Sequence, residues 1–354
     1  MSPPPEPVAG RRPRKKKRPS APASAAAARV AAPDPALRAP RHGWRTVAAK
    51  ELADHVLSIR FVVLVLILGL AAAGAVYTAA GAIREVASNV AGAPSIFLRL
   101  FTFAPEQFPP FVVLVGFLGP LLGIAFGFDG VNGERAEKTL PRLLAQPIHR
   151  DDVINGKFVA GLAAIGLIIT AVTLVVAGIG VLQLGIVPAP QDIARLLVWI
   201  VLAIAYVGFW LAFALLCSVV LRRAATSALV AIGIWIVLTL FAALLVGIIA
   251  GFLAPAPSDA TADQQIANLS LHQDLARLSP NRLFEEATAA VLDPTVRTVS
   301  SVLLPGQADR AVGSLLPIEQ SLLVIWPQIV ILIGLTALAF ALGYISFMRQ
   351  EVRA

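Results

Sequence analysis

The residues able to do chemistry in the middle of this chain are concentrated between Gly133 and Lys157, in the run Gly-Glu-Arg-Ala-Glu-Lys-Thr-Leu-Pro-Arg-Leu-Leu-Ala-Gln-Pro-Ile-His-Arg-Asp-Asp-Val-Ile-Asn-Gly-Lys. A phosphate-cradling loop needs Gly-x-x-x-x-Gly-Lys-Ser/Thr, because backbone amides near the glycines hold the phosphates. Gly133 to Thr139 lacks the second glycine and is one residue short. A membrane zinc protease would need His-Glu-x-x-His, whereas His42, His55, His149 and His272 are scattered and offer no pair of ligands on one helical face. Asp151-Asp152 has no second acidic cluster to share a divalent metal for prenyl transfer, so it reads as helix capping. No serine in the apolar segments has an intramembrane His or Lys beside it. The single cysteine, Cys217, gives no disulfide and no Cys-based metal site, and reads as a small buried hydrophobe. The expectation is a chain with no catalytic, metal or cofactor site of its own.

Read for structure, the island is two helix ends and a peg. Glu134 and Lys138 stand four apart, in the favourable order for an ion pair on a helix. Thr139 can cap a short helix whose first turn tolerates Pro141, with Leu140, Leu143 and Leu144 as its apolar face and Pro147 as its stop. Asp151 or Asp152 can cap the next helix, which runs directly into an apolar segment.

The elements that must position this island are membrane spans. Apolar residues make up 57% of the 354 and charged residues 14%, and the mean hydropathy is +0.79. No soluble domain of that size hides so much apolar surface. Six apolar segments are long enough to cross a bilayer, for which about 20 residues are needed: 61–80, 111–128, 158–184, 193–221, 224–253 and 322–347. Gly119-Pro120 predicts a kink in the second. Arg222-Arg223 alone separates the fourth from the fifth. With the N-terminus inside, 22 of the 29 Lys and Arg residues fall in inner segments. The positive-inside rule therefore places both termini and the island in the cytoplasm of a multi-pass cell-membrane protein.

Residues 1–43 are rich in Pro, Ala and basic residues and read as a disordered cytosolic tail. The run Arg11 to Arg18 is read as a solvated tail that helps fix topology. Attraction to anionic lipid headgroups is the next reading, ahead of a nuclear signal or nucleic-acid arm. From Trp44 to Arg60, Trp44, Ala48, Leu52, Val56 and Ile59 recur at helical spacing, with Arg45, Lys50, Glu51 and Asp54 on other faces, which predicts a helix lying in the interface plane. The outer loop 254–321 predicts two helices. One follows Thr261 and reaches about Leu278. The second is capped by Ser279-Pro280, carries Leu283, Phe284, Ala287, Ala290 and Val291 on its apolar side, and stops at Asp293-Pro294. It reads as a cap over the outer ends of the spans, with a substrate gate or partner surface as the alternative.

The order Glu134-Arg135, Thr139-Leu140, Leu143-Leu144, Pro147, Arg150 and Gly156-Lys157 opening a membrane helix resembles the permeases of the type-2 ABC exporter family. Lys138 replaces a common Gly, and Pro141 an acidic or polar residue. The resemblance covers roughly residues 44–354 and implies an all-α membrane protein. Six transmembrane helices would be preceded by an interfacial elbow helix, with a helical extracytoplasmic loop between spans five and six. After the tail at 1–43, it implies domains of 44–60 (elbow) and 61–354 (six-span permease, with coupling loop 129–157 and large outer loop 254–321). It further implies a second permease copy, homodimeric or related, and a separate cytosolic ABC ATPase that binds ATP and Mg. That ATPase would dock on the coupling helix at about Thr139 to Gln146. Leu140, Leu143 and Leu144 would be the apolar knob in its cleft, and Glu134, Arg135 and Arg150 the polar rim. Membrane lipids are expected around the spans; nucleic acid is not an expected partner.

Two other classes stay open. A secondary transporter usually keeps ionisable groups at mid-membrane. The charges here, such as Arg60, Asp129, Lys157, Arg195 and Arg349, sit at span ends, though discontinuous helices can bind ions through backbone carbonyls, an option that glycines such as Gly178 and Gly180 leave open. A structural membrane subunit is the third. The Ala, Val, Leu and Ile lining, with few polar residues such as Thr170, Thr173, Gln183 and Thr239, leans toward an apolar or amphipathic cargo.

Overall fold

The computed structural model describes residues 2, 43–90, 95–103, 105, 108–139, 149–185, 187–255, 261–296 and 316–350. Contacts divide the chain into units 1–38 and 39–354; of the first, only Ser2 is described. The described residues are helical, with no strand among them. The helices are α1 Gly43–Val56, α2 Ile59–Val90, α3 Ile96–Thr102, α4 Phe111–Gly127, α5 Asn132–Ala136, α6 Arg150–Leu184 and α7 Pro190–Val220. They continue with α8 Ala224–Ile236, a π-helical turn Val237–Phe241, α9 Ala242–Leu253, α10 Ala262–Ala276, α11 Pro280–Leu292 and α12 Ile318–Arg349.

Among the described residues, six helical stretches are long and apolar enough to span a bilayer: Ile59–Arg84, Phe111–Ala136, Arg150–Leu184, Pro190–Val220, Ala224–Leu253 and Ile318–Arg349. All six expected segments are helical. Several run further than hydropathy alone marks, because the charged ends are paired and stay in the helices. The fourth stretch is the axis of the bundle. In its most apolar window 72% of residues are buried, against 17% in the fifth and sixth.

Close approach of α4 to α7 explains that burial. Gly119, Gly123 and Gly127 stand four apart and all face α7. A Cβ at Gly123 would sit 2.6 Å from the Val207 carbonyl oxygen, and one at Gly127 2.8 Å from that of Leu211. Small residues at this spacing let two backbones touch in lipid, where dispersion rather than water expulsion drives packing. α4 runs as one helix through Pro120.

At the end opposite the charged island, α11 folds back onto the spans. Leu283, Phe284, Ala287, Ala290 and Val291, the expected apolar side, are all buried. Phe284 stacks on Tyr206 of α7, with centroids 4.4 Å apart and planes 9° from parallel. Trp199 Nε1 donates to Thr288 Oγ1 at 3.1 Å. Arg195, 2% exposed, donates to the carbonyls of Val291 (2.6 Å) and Leu316 and to Ser321 Oγ (3.2 Å). A guanidinium has five donors and needs acceptors when buried, and these join α7, α11 and α12. Thr261 caps α10 as expected, its Oγ1 accepting from Gln264 N while Gln264 Oε1 accepts from Thr261 N. Ser279 does not cap with its side chain. Its hydroxyl donates to the Leu238 carbonyl in the π-helical turn, where the wider ladder frees a carbonyl.

Candidate functional site

At the island's end of the bundle, α1 lies against the start of α6. Gly156 makes this possible, because a Cβ there would meet Val47 at 2.7 Å and the Trp44 carbonyl oxygen at 3.0 Å. The inward face of α1 carries Gly43, Val47 and Ala48 fully buried, followed by half-buried Glu51, Leu52 and His55. Glu51, expected on a face other than the apolar one, thus points inward. Ile59, expected on the apolar face, is 80% exposed.

One residue beyond Gly156, Lys157 is 7% exposed. Its Nζ lies 3.0 Å from Glu51 Oε1 and 2.7 Å from Glu134 Oε1. One ammonium therefore joins α1, α5 and α6. This corrects the expected Glu134–Lys138 pair: α5 ends at Ala136 and Lys138 adopts a left-handed backbone (φ 57°), so it leaves the helical register that pairing needs. Thr139 donates its hydroxyl back to the Glu134 carbonyl at 3.2 Å. A second link, Arg60 to Asp129, ties the start of α2 to the turn after α4, with the guanidinium 5.2 Å above the Phe128 ring.

These links wall a cavity of about 680 Å³ whose lining includes Lys50, Glu51, Asp129, Glu134, Glu137 and Lys157. His55 packs edge-on against Phe126 in this cavity, centroids 4.9 Å apart. Burial pushes its imidazole below the ordinary histidine pKa, against the opposing pull of Glu51. The hydrogen bond to Asp54 raises the Lys50 ammonium, against burial.

Arg135 and Arg150 meet elsewhere, at the carboxyl ends of α7 and α12. Arg135 donates to the Val219 carbonyl (3.3 Å) and to Gln350 Oε1; Arg150 donates to the Phe347 and Gln350 carbonyls at 3.2 and 3.0 Å. The last carbonyls of a helix have no intrahelical donor and carry the negative end of its dipole, so arginines are favoured there. Asp152, not Asp151, closes the start of α6: its Oδ2 accepts from the His149 amide at 3.3 Å, three residues into the helix. Of the expected site residues, the structure thus groups Glu134 with Lys157 and Arg135 with Arg150. Leu140, Leu143, Leu144 and Pro147 lie outside the described residues, as does the short helix expected over 139–146 beyond Thr139.

The residues that sequence reasoning missed are Glu51 and Gln350. Glu51 is legible as the continuation of a Gly43, Val47, Glu51, His55 row at helical spacing. Gln350 carries no such signal.

The arrangement holds charges in pairs and joins helix ends; it can resist or transmit displacement. A family model described as ABC-2 family transporter protein matches residues 45–352. The chain belongs to the ABC-2 transporter family. Among relatives, a probable ABC transporter permease protein NosY of Pseudomonas aeruginosa is 29% identical over 130 residues, 37% of this chain and 41% of its own length. A protein of the same description from Stutzerimonas stutzeri is 25% identical over 199 residues, 55% of this chain and 66% of its own length. The matches therefore cover less than two thirds of either relative. This ABC-2 chain is a multi-pass membrane protein with six long apolar helices among its described residues, and these relatives are described as transporter permeases.

Proposed function

We propose that this chain is the permease subunit of an ATP-driven exporter, forming the substrate pathway and taking force from a separate cytosolic ABC ATPase that binds ATP and Mg. The observation that carries the reading is the family match over residues 45–352, together with a charged segment, 129–157, between the second and third spans. Both termini and this segment are assigned to the cytoplasmic side of the cell membrane by the positive-inside rule. α1 then lies along the inner interface as the elbow, and α10 and α11 face outward. Two copies, or one copy and a related permease, make the pathway, surrounded by lipid.

In this mechanism Leu140, Leu143 and Leu144, opened by Thr139 and closed by Pro147, form the apolar knob that enters the ATPase. Glu134, Arg135, Arg150 and Lys157 anchor its base to the spans. Closure of the ATPase dimer on ATP displaces the knob, and because the base is bonded to several helices the packing between permeases changes and the outer side opens. Leu143→Asp places a charge in the apolar contact. The variant is expected to insert normally but to lose ATPase subunit on co-purification. Retention of the subunit with unchanged ATP hydrolysis would overturn the docking assignment.

A further inference from the structure

The sixth span enters the bundle at Ile318, far in sequence from the segment between spans two and three, yet its carboxyl end is bonded to both ends of that segment. Arg135 is in the last helical turn before it and Arg150 opens the helix after it. Both guanidiniums converge on Gln350, the residue that ends α12: Arg135 on the side-chain oxygen, Arg150 on the main-chain oxygen at 3.0 Å. Gln350 Nε2 donates in turn to the Val219 carbonyl at the end of α7 (2.9 Å), which also accepts from Arg135 Nη1 at 3.3 Å. Arg150 additionally bonds the Phe347 carbonyl at 3.2 Å and lies 5.4 Å above that residue's ring. Ser218 Oγ, beside Val219, accepts from the amides of Val131 and Asn132 at 2.9 and 3.2 Å. The ends of the second, fourth and sixth spans and the start of the third are thus one bonded cluster, with the Gln350 carboxamide used at both its oxygen and its nitrogen.

A guanidinium is planar and its donors are fixed in a fork, so an acceptor held by it follows its displacement in direction as well as distance. Two such forks approach Gln350 from the two sides of one segment. We propose that Gln350 is a positioning residue that carries displacement of Arg135 and Arg150, at the ends of the second and third spans, into the sixth span. The proposal rests on the ATPase-coupled reading above, and assigns to Arg135 and Arg150 an inward task, toward α12.

The test uses the full chain in nanodiscs with the ATPase subunit that co-purifies from host membranes. Cys217 is the only cysteine and is buried, so Cys217→Ala gives a background for spin labels at exposed Leu57, just after α1, and exposed Ile345, in α12. The distance between the labels is read without nucleotide and after trapping with ATP and vanadate. The expected result is a distance change in the parent, its loss in Gln350→Ala with ATPase still bound and hydrolysing, and its return in Gln350→Glu. Gln350→Ala removes the acceptor for Arg135 and Gln350→Glu restores it, while the main-chain oxygen for Arg150 is present in both variants; a role in folding alone would not move the distance change while leaving assembly intact. A parent-sized change in Gln350→Ala overturns the proposal. So does loss that Gln350→Glu fails to restore, or a parent that hydrolyses ATP with no distance change. A parent that retains no ATPase overturns the coupled reading itself, and is distinguished by that absence.

Discussion

Replacing Lys157 with Met removes the cation that Glu51 and Glu134 share. Both carboxylates touch the same nitrogen, at 3.0 and 2.7 Å. They therefore lie within about 6 Å of each other, and at an effective dielectric of about 20 two unit charges so placed repel by about 3 kcal/mol. Removing one partner of a buried ion pair costs about 3–5 kcal/mol in general, so the two routes agree. Met keeps most of the aliphatic stem, and the packing loss is correspondingly small. The expected loss of stability is about 3 kcal/mol, measured as a shift of unfolding in SDS–detergent mixtures followed by tryptophan fluorescence. Because the loss is electrostatic, charge must reverse it, and unequally. Glu51 keeps Lys50 Nζ at 3.5 Å after the substitution, whereas Lys157 is the only ion-pair partner of Glu134 among the described residues. Adding Glu134→Gln to Lys157→Met should therefore recover more than adding Glu51→Gln. A Lys157→Met protein that unfolds like the parent, or one rescued better through Glu51, would refute the shared-cation reasoning.

The α4–α7 contact makes a second expectation. Gly123→Ala forces a Cβ to 2.6 Å from a backbone oxygen and should cost about 1–3 kcal/mol as overpacking, whereas Gly178→Ala, with nothing within 4 Å, should be neutral or slightly stabilising in the same unfolding assay. His55 makes a third. Glu51 and Asp54 on α1, Asp129 after α4 and Lys157 on α6 face its ring, and burial outweighs the carboxylates, holding the folded-state imidazole below its ordinary value of 6.5. The unfolded chain then takes up the proton first, so stability is full above pH 6.5 and falls as pH drops below it. His55→Gln should flatten that part of the thermal-midpoint-against-pH curve, and an unchanged slope would exclude His55 as its source.

The six spans were legible because hydropathy over 20 residues is a one-dimensional property that lipid enforces locally. The apolar side of α11 was legible for the same reason: Leu283, Phe284, Ala287, Ala290 and Val291 keep helical spacing, and one face must be buried. The errors fall where a charged residue had a distant alternative partner. Glu134 and Lys138 satisfy the helical pairing rule, but that rule is worth only about 0.2–0.5 kcal/mol on an exposed helix. A buried ammonium across the bundle offers more, so Glu134 turns to Lys157. Glu51 lies off the Trp44, Ala48, Leu52, Val56 row, but the Gly43, Val47, His55 spacing puts it on the inward row. The stripe Gly119, Gly123, Gly127 is legible as glycines four apart, the spacing that lets helices approach closely, whereas which helix they meet depends on the tertiary fold.

The placement of the charged residues also bears on how the bundle would work. Ion pairs and arginine-capped carbonyls at the island's end join α1, α2, α4, α5, α6, α7 and α12 through Lys157, Arg60, Arg135 and Arg150. Polar links of this kind are short-ranged and directional, so helix ends joined by them shift together. The fifth span presents a different surface. Leu229, Leu240, Leu244 and Phe252 are well exposed along its length, and its helical ladder is interrupted by the π-helical turn at Val237–Phe241. A push delivered between spans two and three would reach the bonded helices as a group, and the fifth span through side-chain packing, the Ser279–Leu238 hydrogen bond from α11 and the short Leu221–Arg223 connection. Under the proposed mechanism, relative motion between these two parts of the bundle concentrates where polar links give way to apolar packing. Dispersion contacts can slide there without leaving a buried charge or carbonyl unpaired.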